Sequence, residues 1–142
     1  MGFLSGKTAI ITGAGRAVLT DGSCGSIGYG IATAFAKEGA NLVITGRNVK
    51  KLEEAKAELE ANYGIRVLPV QADVCAGGDN EATVQNVVKQ AVDAFGSIQV
   101  LVNNAQASAS GVPLADHTTE QFDLAVYSGL YAAFYYMKAC YP

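Results

Sequence analysis

The feature that most constrains this chain is a regular alternation of short apolar runs with longer amphipathic segments. The apolar runs are rich in Val, Ile and Leu and lie at residues 7–12, 41–45, 67–71 and 98–102. Each has the length of a strand and is bounded by glycine or polar residues. Strands that are separated by helices pair in parallel through right-handed crossovers rather than as hairpins. The sequence therefore predicts an α/β fold with a doubly wound parallel sheet in the strand order 3-2-1-4.

Helical periodicity fills the segments between the strands. Ser26 is predicted to open the first helix and Gly39 to close it. The residues predicted to face the core from this helix are Ile27, Ile31, Phe35 and Ala36.

Three further helices are predicted at 49–62, 81–95 and about 120–140. The helix at 49–62 has only a narrow apolar stripe among many charges, which indicates a solvent-exposed helix. The helix at 81–95 has a broader apolar face, made of Val84, Val87, Val88, Ala91, Val92 and Phe95. Pro69 lies within the third strand, and this position favours the edge of the sheet.

Composition excludes several classes of protein. The 142 residues fit one domain, and their net charge of −3 argues against binding to nucleic acid. No run approaches the roughly 20 apolar residues of a membrane span, and the start resembles no secretory signal, so we expect a cytoplasmic protein. Cys24, Cys75 and Cys140 are odd in number and far apart, which indicates reduced thiols. With His117 as the one histidine, no metal site is predicted.

A glycine-rich stretch follows the first strand and leads directly into the first helix. Gly13 permits a tight turn at the end of the strand. The N-terminus of the helix offers free N–H groups and the positive end of a dipole, which suits a pyrophosphate. Strand, glycine-rich turn and helix together predict a dinucleotide site.

Four short motifs, in this order, resemble the short-chain dehydrogenase/reductase family: Thr12-Gly13, Ser26-Ile27-Gly28, Asp73-Val74 and Asn103-Asn104-Ala105. The resemblance covers residues 1–142 and implies a Rossmann-type NAD(P)-binding domain, the N-terminal portion of such an enzyme. It implies hydride transfer between a nicotinamide cofactor and a secondary alcohol or ketone. Stretches at 26–32, 103–111 and 127–132 are similar to bacterial 12α-hydroxysteroid dehydrogenases, which implies a bile acid or related steroid as the substrate.

The same resemblance assigns residues to parts of the cofactor. Those that would cradle its phosphates are Gly13, Ser26, Ile27 and Gly28. Asp73 would accept a hydrogen bond from the adenine amino group, with Val74 beside the ring. Asn104, Ala105 and Gln106 would run past the ribose nearest the nicotinamide. Two alternatives are structural: Asp73 caps a turn, and Asn104 ties the fourth strand to its neighbour.

The chain departs from the family pattern in three places. Twelve residues (14–25) separate Gly13 from Ser26, where the family commonly has three before a second glycine. Serine at this place is also found in the enoyl-reductase branch of the family. Gln106 stands where glycine is common. The extra segment 16–25 is rich in turn formers, and it either folds over the pyrophosphate or is a loop without contacts.

The residues after the second strand predict which nicotinamide cofactor is bound. An acidic residue there would bind the ribose hydroxyls and repel a 2′-phosphate, but the sequence has Gly46, Arg47 and Asn48. Arg47 offers a planar, permanently charged fork for phosphate, and Arg16 is a possible second donor. NADP is therefore predicted over NAD. In the alternative interpretation, Arg47 pairs with a carboxylate on the second helix.

No catalytic residue is predicted, because the family's Tyr-x-x-x-Lys motif is absent. We expect a sheet truncated before strand five and a chain that is inactive alone. Tyr135, Tyr136 and Lys138 have the wrong spacing for this motif, and the two tyrosines are interpreted as packing residues of the helix. The last helix is apolar around much of its girth, and in the family this helix contributes to a subunit interface, which implies a homo-oligomer.

Two alternative functions remain open from the sequence. One is a catalytically inert NADP-binding fragment or sensing module. The other is an enoyl-thioester reductase, favoured by Ser26 and disfavoured by Asn103-Asn104-Ala105.

Overall fold

Four parallel strands form one sheet in the order β3-β2-β1-β4, as predicted. The structure is a computed structural model that describes residues 2–74 and 80–142, so Cys75 lies outside the described residues. The strands are β1 (Thr8–Thr12), β2 (Asn41–Gly46), β3 (Val67–Gln71) and β4 (Val100–Val102). Strand β3 with Pro69 lies at one edge, which confirms that prediction, and β4 lies at the other.

Helices connect the strands and continue beyond β4. They are α1 (Ile27–Lys37), α2 (Val49–Tyr63), α3 (Asn80–Phe95), α4 (Thr119–Ala125) and α5 (Ala132–Cys140). Ser26 and Asn48 cap α1 and α2 with side-chain oxygens, and Gly64 ends α2 in the left-handed conformation that glycine adopts readily. Thr118 and Gln121 form a reciprocal capping box at the start of α4.

The sheet is covered on both faces, as a doubly wound fold requires. On one face, Ala9 and Ile11 of β1 pack with apolar residues of α1 and α2. On the other, Ile10 of β1 packs with α3 and α5. Neighbouring strand residues point to opposite faces, and the continuous apolar sequence of β1 follows from this double burial.

Three sequence-based expectations need correction. Ile27 was expected in the core but is 75% exposed, because α1 turns Gly28, Tyr29, Ala32 and Ala36 towards the sheet. Val92 is likewise exposed. The predicted helix at 120–140 is interrupted by a π-helical segment, Val126–Tyr131, that joins α4 to α5.

None of the described helices is both long and apolar enough to cross a membrane. Across the same residues, no three His, Cys, Asp or Glu side chains are grouped as a metal ion would require.

Candidate functional site

The turn after β1 lies in close contact with the start of α1. Gly13 has φ +70°, a conformation that a side chain disfavours. A Cβ on Gly28 would lie 2.1 Å from the carbonyl oxygen of Gly13 and 2.6 Å from Nδ2 of Asn104. Only glycine at position 28 allows these three segments to meet.

The N-terminus of α1 opens towards this turn. Ser26 accepts a hydrogen bond from the N–H of Tyr29, so serine acts here as an N-cap in the place of the family's glycine. The N–H groups of Ile27 and Gly28 belong to the first turn and have no intrahelical acceptor. Together with the helix dipole, they form an arrangement suited to an anion.

The extra loop between Gly13 and Ser26 is folded back on itself and held against α2. Val18 and Cys24 form an antiparallel bridge, and the N–H of Gly25 donates to the carbonyl of Ala17 at 2.7 Å. The N–H of Arg16 donates to the carbonyl of Lys51 at 2.9 Å. The expectation of a loop without contacts is therefore wrong.

A charged network joins this loop to both neighbouring helices. Nε of Arg16 donates to Oε2 of Glu58 on α2, and the hydroxyl of Tyr29 on α1 donates to Oε1 of the same carboxylate at 2.7 Å. The hydrogen bonds from Tyr29 and Arg16 lower the pKa of Glu58, so the carboxylate is ionised at neutral pH. Sequence analysis missed Glu58, because its partners are 29 and 42 residues away.

Two cavities adjoin at the carboxyl ends of the strands, where open α/β sheets bind their ligands. The first, which we call the basic cavity, has a volume of about 270 Å³. It is lined by Gly13, Gly15, Arg16, Ala17, Ser26, Gly46, Arg47, Asn48 and Lys51. Three of these residues are cationic and none is acidic, so this cavity favours a negatively charged group.

The second cavity, the strand-end cavity, has a volume of about 250 Å³. It is lined by Thr12, Gly13, Thr45, Gly46, Arg47, Ala72, Val74, Asn103, Asn104, Ala105, Gln106, Ala107, Ser128, Gly129, Ala132, Ala133 and Tyr136. Among the described residues that line it, Arg47 is the one with a charge, and Arg47 also lines the basic cavity together with Gly13 and Gly46. The two cavities thus meet at the ends of β1 and β2.

Asn104 is held in place by Thr12 of β1. Oγ1 of Thr12 accepts from the N–H groups of Asn104 at 3.0 Å and Ala105 at 2.9 Å. Nδ2 of Asn104 donates back to the carbonyls of Thr12 at 2.9 Å and Gly13 at 3.3 Å. Asn104 therefore ties β4 to β1, as the structural alternative to a role beside the cofactor ribose predicted. Its neighbours Ala105 and Gln106 line the strand-end cavity.

The segment that follows β4 is held a second time at Ala107, by Ser128 of the π-helical segment. Its hydroxyl accepts from the N–H of Ala107 at 2.9 Å and lies within donor distance of the carbonyls of Leu124 and Ala107, at 2.7 and 3.0 Å. Ser128 is 2% exposed. Sequence analysis placed Ser128 on the last helix without a role, because the contact to Ala107 spans 21 residues.

Tyr136 contributes a buried phenol to the wall of the strand-end cavity. Its hydroxyl lies beside Thr45 but has no hydrogen-bond partner of good geometry among the described residues. Burial raises the pKa of Tyr136 to about 12. The prediction that the tyrosines serve packing agrees with their contacts, since Tyr136 lies in the core and Tyr135 packs against it, whereas Lys138 pairs with Glu81 of α3.

The remaining predicted residues lie around the two cavities. Arg47 forms no ion pair with a described residue, so the alternative of a carboxylate partner on α2 is not what the structure has. Asn48 caps α2 by accepting from the N–H of Lys51 at 3.1 Å. Val74 is buried and lines the strand-end cavity, whereas Asp73 is exposed and lines neither cavity.

The fold and the two cavities at its strand ends define a doubly wound α/β protein with a candidate dinucleotide site, and comparisons with known proteins give its family. A family model described as Enoyl-(Acyl carrier protein) reductase matches residues 22–142. The chain is 32% identical over 135 residues to a short chain dehydrogenase/reductase of Macrophomina phaseolina, covering 95% of the chain and 70% of that relative. The chain belongs to the short-chain dehydrogenase/reductase family.

Two further relatives are informative. The chain is 58% identical over 142 residues to a 12α-hydroxysteroid dehydrogenase of a Clostridium species, covering all of the chain and 52% of that enzyme. The crystal structure of L-sorbose reductase from Gluconobacter frateurii, complexed with NADPH and L-sorbose, superposes with a TM-score of 0.83 at 33% identity, covering 99% of this chain and 48% of that one. The chain thus spans about half the length of these two relatives.

Proposed function

We propose that this chain is the cofactor-binding part of an NADP-dependent oxidoreductase that interconverts a secondary alcohol and a ketone, with a hydroxysteroid as the substrate. The observation that carries the cofactor choice is the exposed Arg47 at the end of β2, which lines both cavities and has no carboxylate partner among the described residues. The 58% identity to a 12α-hydroxysteroid dehydrogenase supports the steroid.

The residues present fit a dinucleotide. The free N–H groups at the start of α1 would receive the pyrophosphate, next to the Gly13 turn that a Cβ at position 28 would fill. Arg47, with Arg16 and Lys51 around the same cavity, would hold a 2′-phosphate. When bound, the nicotinamide supplies or accepts the hydride.

The strand-end cavity would receive the neutral parts of the cofactor. We propose that Val74 packs against the adenine, with Asp73 accepting from its amino group, and that Asn104, Ala105 and Gln106 pass the ribose nearest the nicotinamide. In support, Val74 and the segment at 104–106 line one cavity. Thr12 holds that segment rigidly through two hydrogen bonds.

A fluorescence titration of the chain with NADPH and with NADH tests this proposal. The chain is expected to bind NADPH more tightly than NADH. Arg47→Ala should weaken NADPH binding about tenfold, the effect of losing a charge-assisted hydrogen bond, with NADH affinity unchanged. Arg66→Ala is the matched control, because Arg66 stacks on Phe95 away from both cavities. Equal affinity of the unaltered chain for the two cofactors would overturn the choice of NADP.

The chain alone is expected to turn over no substrate, because it has no Tyr-x-x-x-Lys motif to transfer the proton. Incubation with NADPH and an oxo-steroid, followed by absorbance, tests this. Turnover above the rate without protein would contradict the expectation. The DNA downstream of codon 142 provides a second check, since an in-frame Tyr-x-x-x-Lys would support the enzyme and its absence would favour the inert NADP-binding module.

An enoyl-thioester reductase is the second candidate function. It is favoured by the match to a family model described as Enoyl-(Acyl carrier protein) reductase and by serine at position 26. Supplying an enoyl thioester or an oxo-steroid to a longer chain that carries the tyrosine and lysine would separate the two candidates. We place the hydroxysteroid first because the identity to that relative extends over the whole chain.

We also propose that the intact protein forms a homo-oligomer through the last helix, and that it is cytoplasmic. In support of the first, Leu130, Phe134 and Met137 expose an apolar stripe at helical spacing, and Tyr141 is exposed just beyond the end of α5. In support of the second, Cys24 and Cys140 are free thiols. Sedimentation of the intact protein with Phe134→Ser, which should yield monomers, tests the oligomer.

A further inference from the structure

We propose that Glu58 is a positioning residue that makes the chain select NADP over NAD, by holding the side chain of Arg16 at the basic cavity. This inference rests on the proposed function, because it concerns how the same cavity recognises a 2′-phosphate. Arg16 is the one cation of the long loop between Gly13 and Ser26, and the hydrogen-bond partner of its side chain lies outside the loop, on α2.

Glu58 is placed to supply that contact from a rigid position. It lies on the 15-residue helix α2 between Ala55 and Leu59, both of which are fully buried. One carboxylate oxygen binds Nε of Arg16, and the other accepts from the hydroxyl of Tyr29, whose side chain is 2% exposed. The carboxylate is therefore immobilised from α1 as well as from α2.

The arrangement leaves the phosphate-binding part of Arg16 available. Glu58 engages Nε, and neither Nη group hydrogen-bonds to a described residue. The backbone of Arg16 is fixed separately by the carbonyl of Lys51, and the residue lines the basic cavity with Arg47. An arginine held at Nε and at its backbone loses little further freedom when its Nη groups bind a phosphate.

A competing effect has the opposite sign. The negative charge of Glu58 partly neutralises Arg16 and repels a phosphate, which would weaken NADP binding. The Glu58 and Arg16 side chains are 34% and 36% exposed, so water screens this repulsion. Water does not screen the entropic gain from holding the long Arg16 side chain in place. We therefore expect this positioning effect on NADP binding to exceed the repulsion between Glu58 and the phosphate.

The test measures the affinities of the chain for NADPH and NADH in Glu58→Gln, with Glu53→Gln as the control. Glu53 lies on the exposed face of the same helix, and its substitution changes the net charge equally. Glu58→Gln should weaken NADPH binding about tenfold and change NADH binding less than twofold, while Glu53→Gln changes neither. Tighter NADPH binding by Glu58→Gln would mean that neutralisation dominates and would overturn the proposal.

A second pair of variants separates positioning from general loss of structure. Arg16→Gln should weaken NADPH binding as Glu58→Gln does, and the double variant should be no weaker than Arg16→Gln alone, because Glu58 acts only through Arg16. Additive losses, or equal losses for NADH and NADPH, would show that Glu58 merely stabilises the fold. If Arg47→Ala abolishes the preference for NADPH but Glu58→Gln leaves it intact, the proposed function stands and this inference fails.

Discussion

The two cavities of the cleft are built by different physical means. The basic cavity depends on the exposed Arg47 and on a half-buried ion pair between Arg16 and Glu58, contacts that water and salt weaken. The strand-end cavity depends on the hydroxyls of Thr12 and Ser128, which are 3% and 2% exposed and hydrogen-bonded to backbone groups. Substitutions in the basic cavity, where we propose that the cofactor is selected, are therefore expected to cost little stability, and substitutions of Thr12 or Ser128 to cost more.

The largest expected effect on stability and cofactor binding comes from a substitution at Gly28, beside the Gly13 turn where the two cavities meet. Gly28→Ala would put a methyl group 2.1 Å from the carbonyl oxygen of Gly13, so α1 and the turn must separate. We expect a loss of at least about 3 kcal/mol in the free energy of unfolding, together with loss of both NADPH and NADH binding. Denaturant unfolding and fluorescence titration measure the two effects.

Gly30→Ala is the control for this substitution. Gly30 lies in the same helix, and a Cβ added there would lie 3.8 Å from its nearest neighbour outside the helix, Cβ of Cys24. Because this is an ordinary contact distance, the substitution should stabilise α1 by about 0.5–1 kcal/mol. Equal behaviour of Gly28→Ala and Gly30→Ala would contradict the close contact described for Gly28.

The next effect distinguishes the strand-end cavity from the basic one. Thr12→Val keeps the shape of the side chain but removes the acceptor for the N–H groups of Asn104 and Ala105. We expect a loss of about 2 kcal/mol in the free energy of unfolding and weaker binding of both cofactors alike. Thr8→Val, on the same strand, should cost less, because no described residue hydrogen-bonds to the Thr8 side chain. A loss confined to NADPH would contradict the division between the cavities.

A smaller effect is expected in the pH dependence of stability, through Glu58 beside the basic cavity. Hydrogen bonds from Tyr29 and Arg16 lower the pKa of Glu58 below its unfolded value, so this carboxylate stabilises the fold above about pH 4.5. That stability is lost as the pH falls through the folded-state pKa. Unfolding curves should show Glu58→Gln less stable than the unaltered chain at pH 7, by less than about 1 kcal/mol, with the difference shrinking as the pH falls below about 4.5. A constant difference across this range would exclude the ionised carboxylate as its cause.

The smallest effect concerns Tyr136 in the strand-end cavity. Its buried hydroxyl has no hydrogen-bond partner of good geometry among the described residues, so Tyr136→Phe removes an unsatisfied group. We expect a change between zero and about 1 kcal/mol of stabilisation. Thermal unfolding measures it, with Tyr141→Phe on the exposed end of the chain as a control. A destabilisation above 1 kcal/mol would show that Thr45 is a true partner.

The sequence predicts the sheet well because its two central strands, β1 and β2, are buried on both faces and Gly13 and Gly46 mark their ends. Strand order, the edge position of Pro69 and three helices follow from local patterns. The face of α1 does not follow, because hydrophobicity favours Ile27, whereas the close contact of Gly28 with Gly13 sets the rotation of the helix. Local patterns also do not show the π-helical segment, whose Ser128 binds a loop 21 residues away.

In the candidate site too, residues that depend on local sequence can be predicted, and residues that depend on long-range contacts cannot. Gly13, Ser26 and Arg47 can be predicted because their roles depend on chain neighbours: a strand end, a helix start and the residue after a strand. Thr12 and Glu58 cannot, since each acts through hydrogen bonds to residues that only the folded sheet brings near. Whether Asp73 contacts adenine stays a prediction.

The hydrogen bonds from Asn104 and Ala105 to Thr12 join residues 92 and 93 positions apart in the chain. Ribosomes add about 5–20 residues per second, so between about 5 and 20 seconds pass between the synthesis of the two partners. During that interval the glycine turn exists without the strand that completes its cleft. The Thr12 hydroxyl therefore gains its partners Asn104 and Ala105, and the strand-end cavity gains that wall, only after the chain has been made past β4.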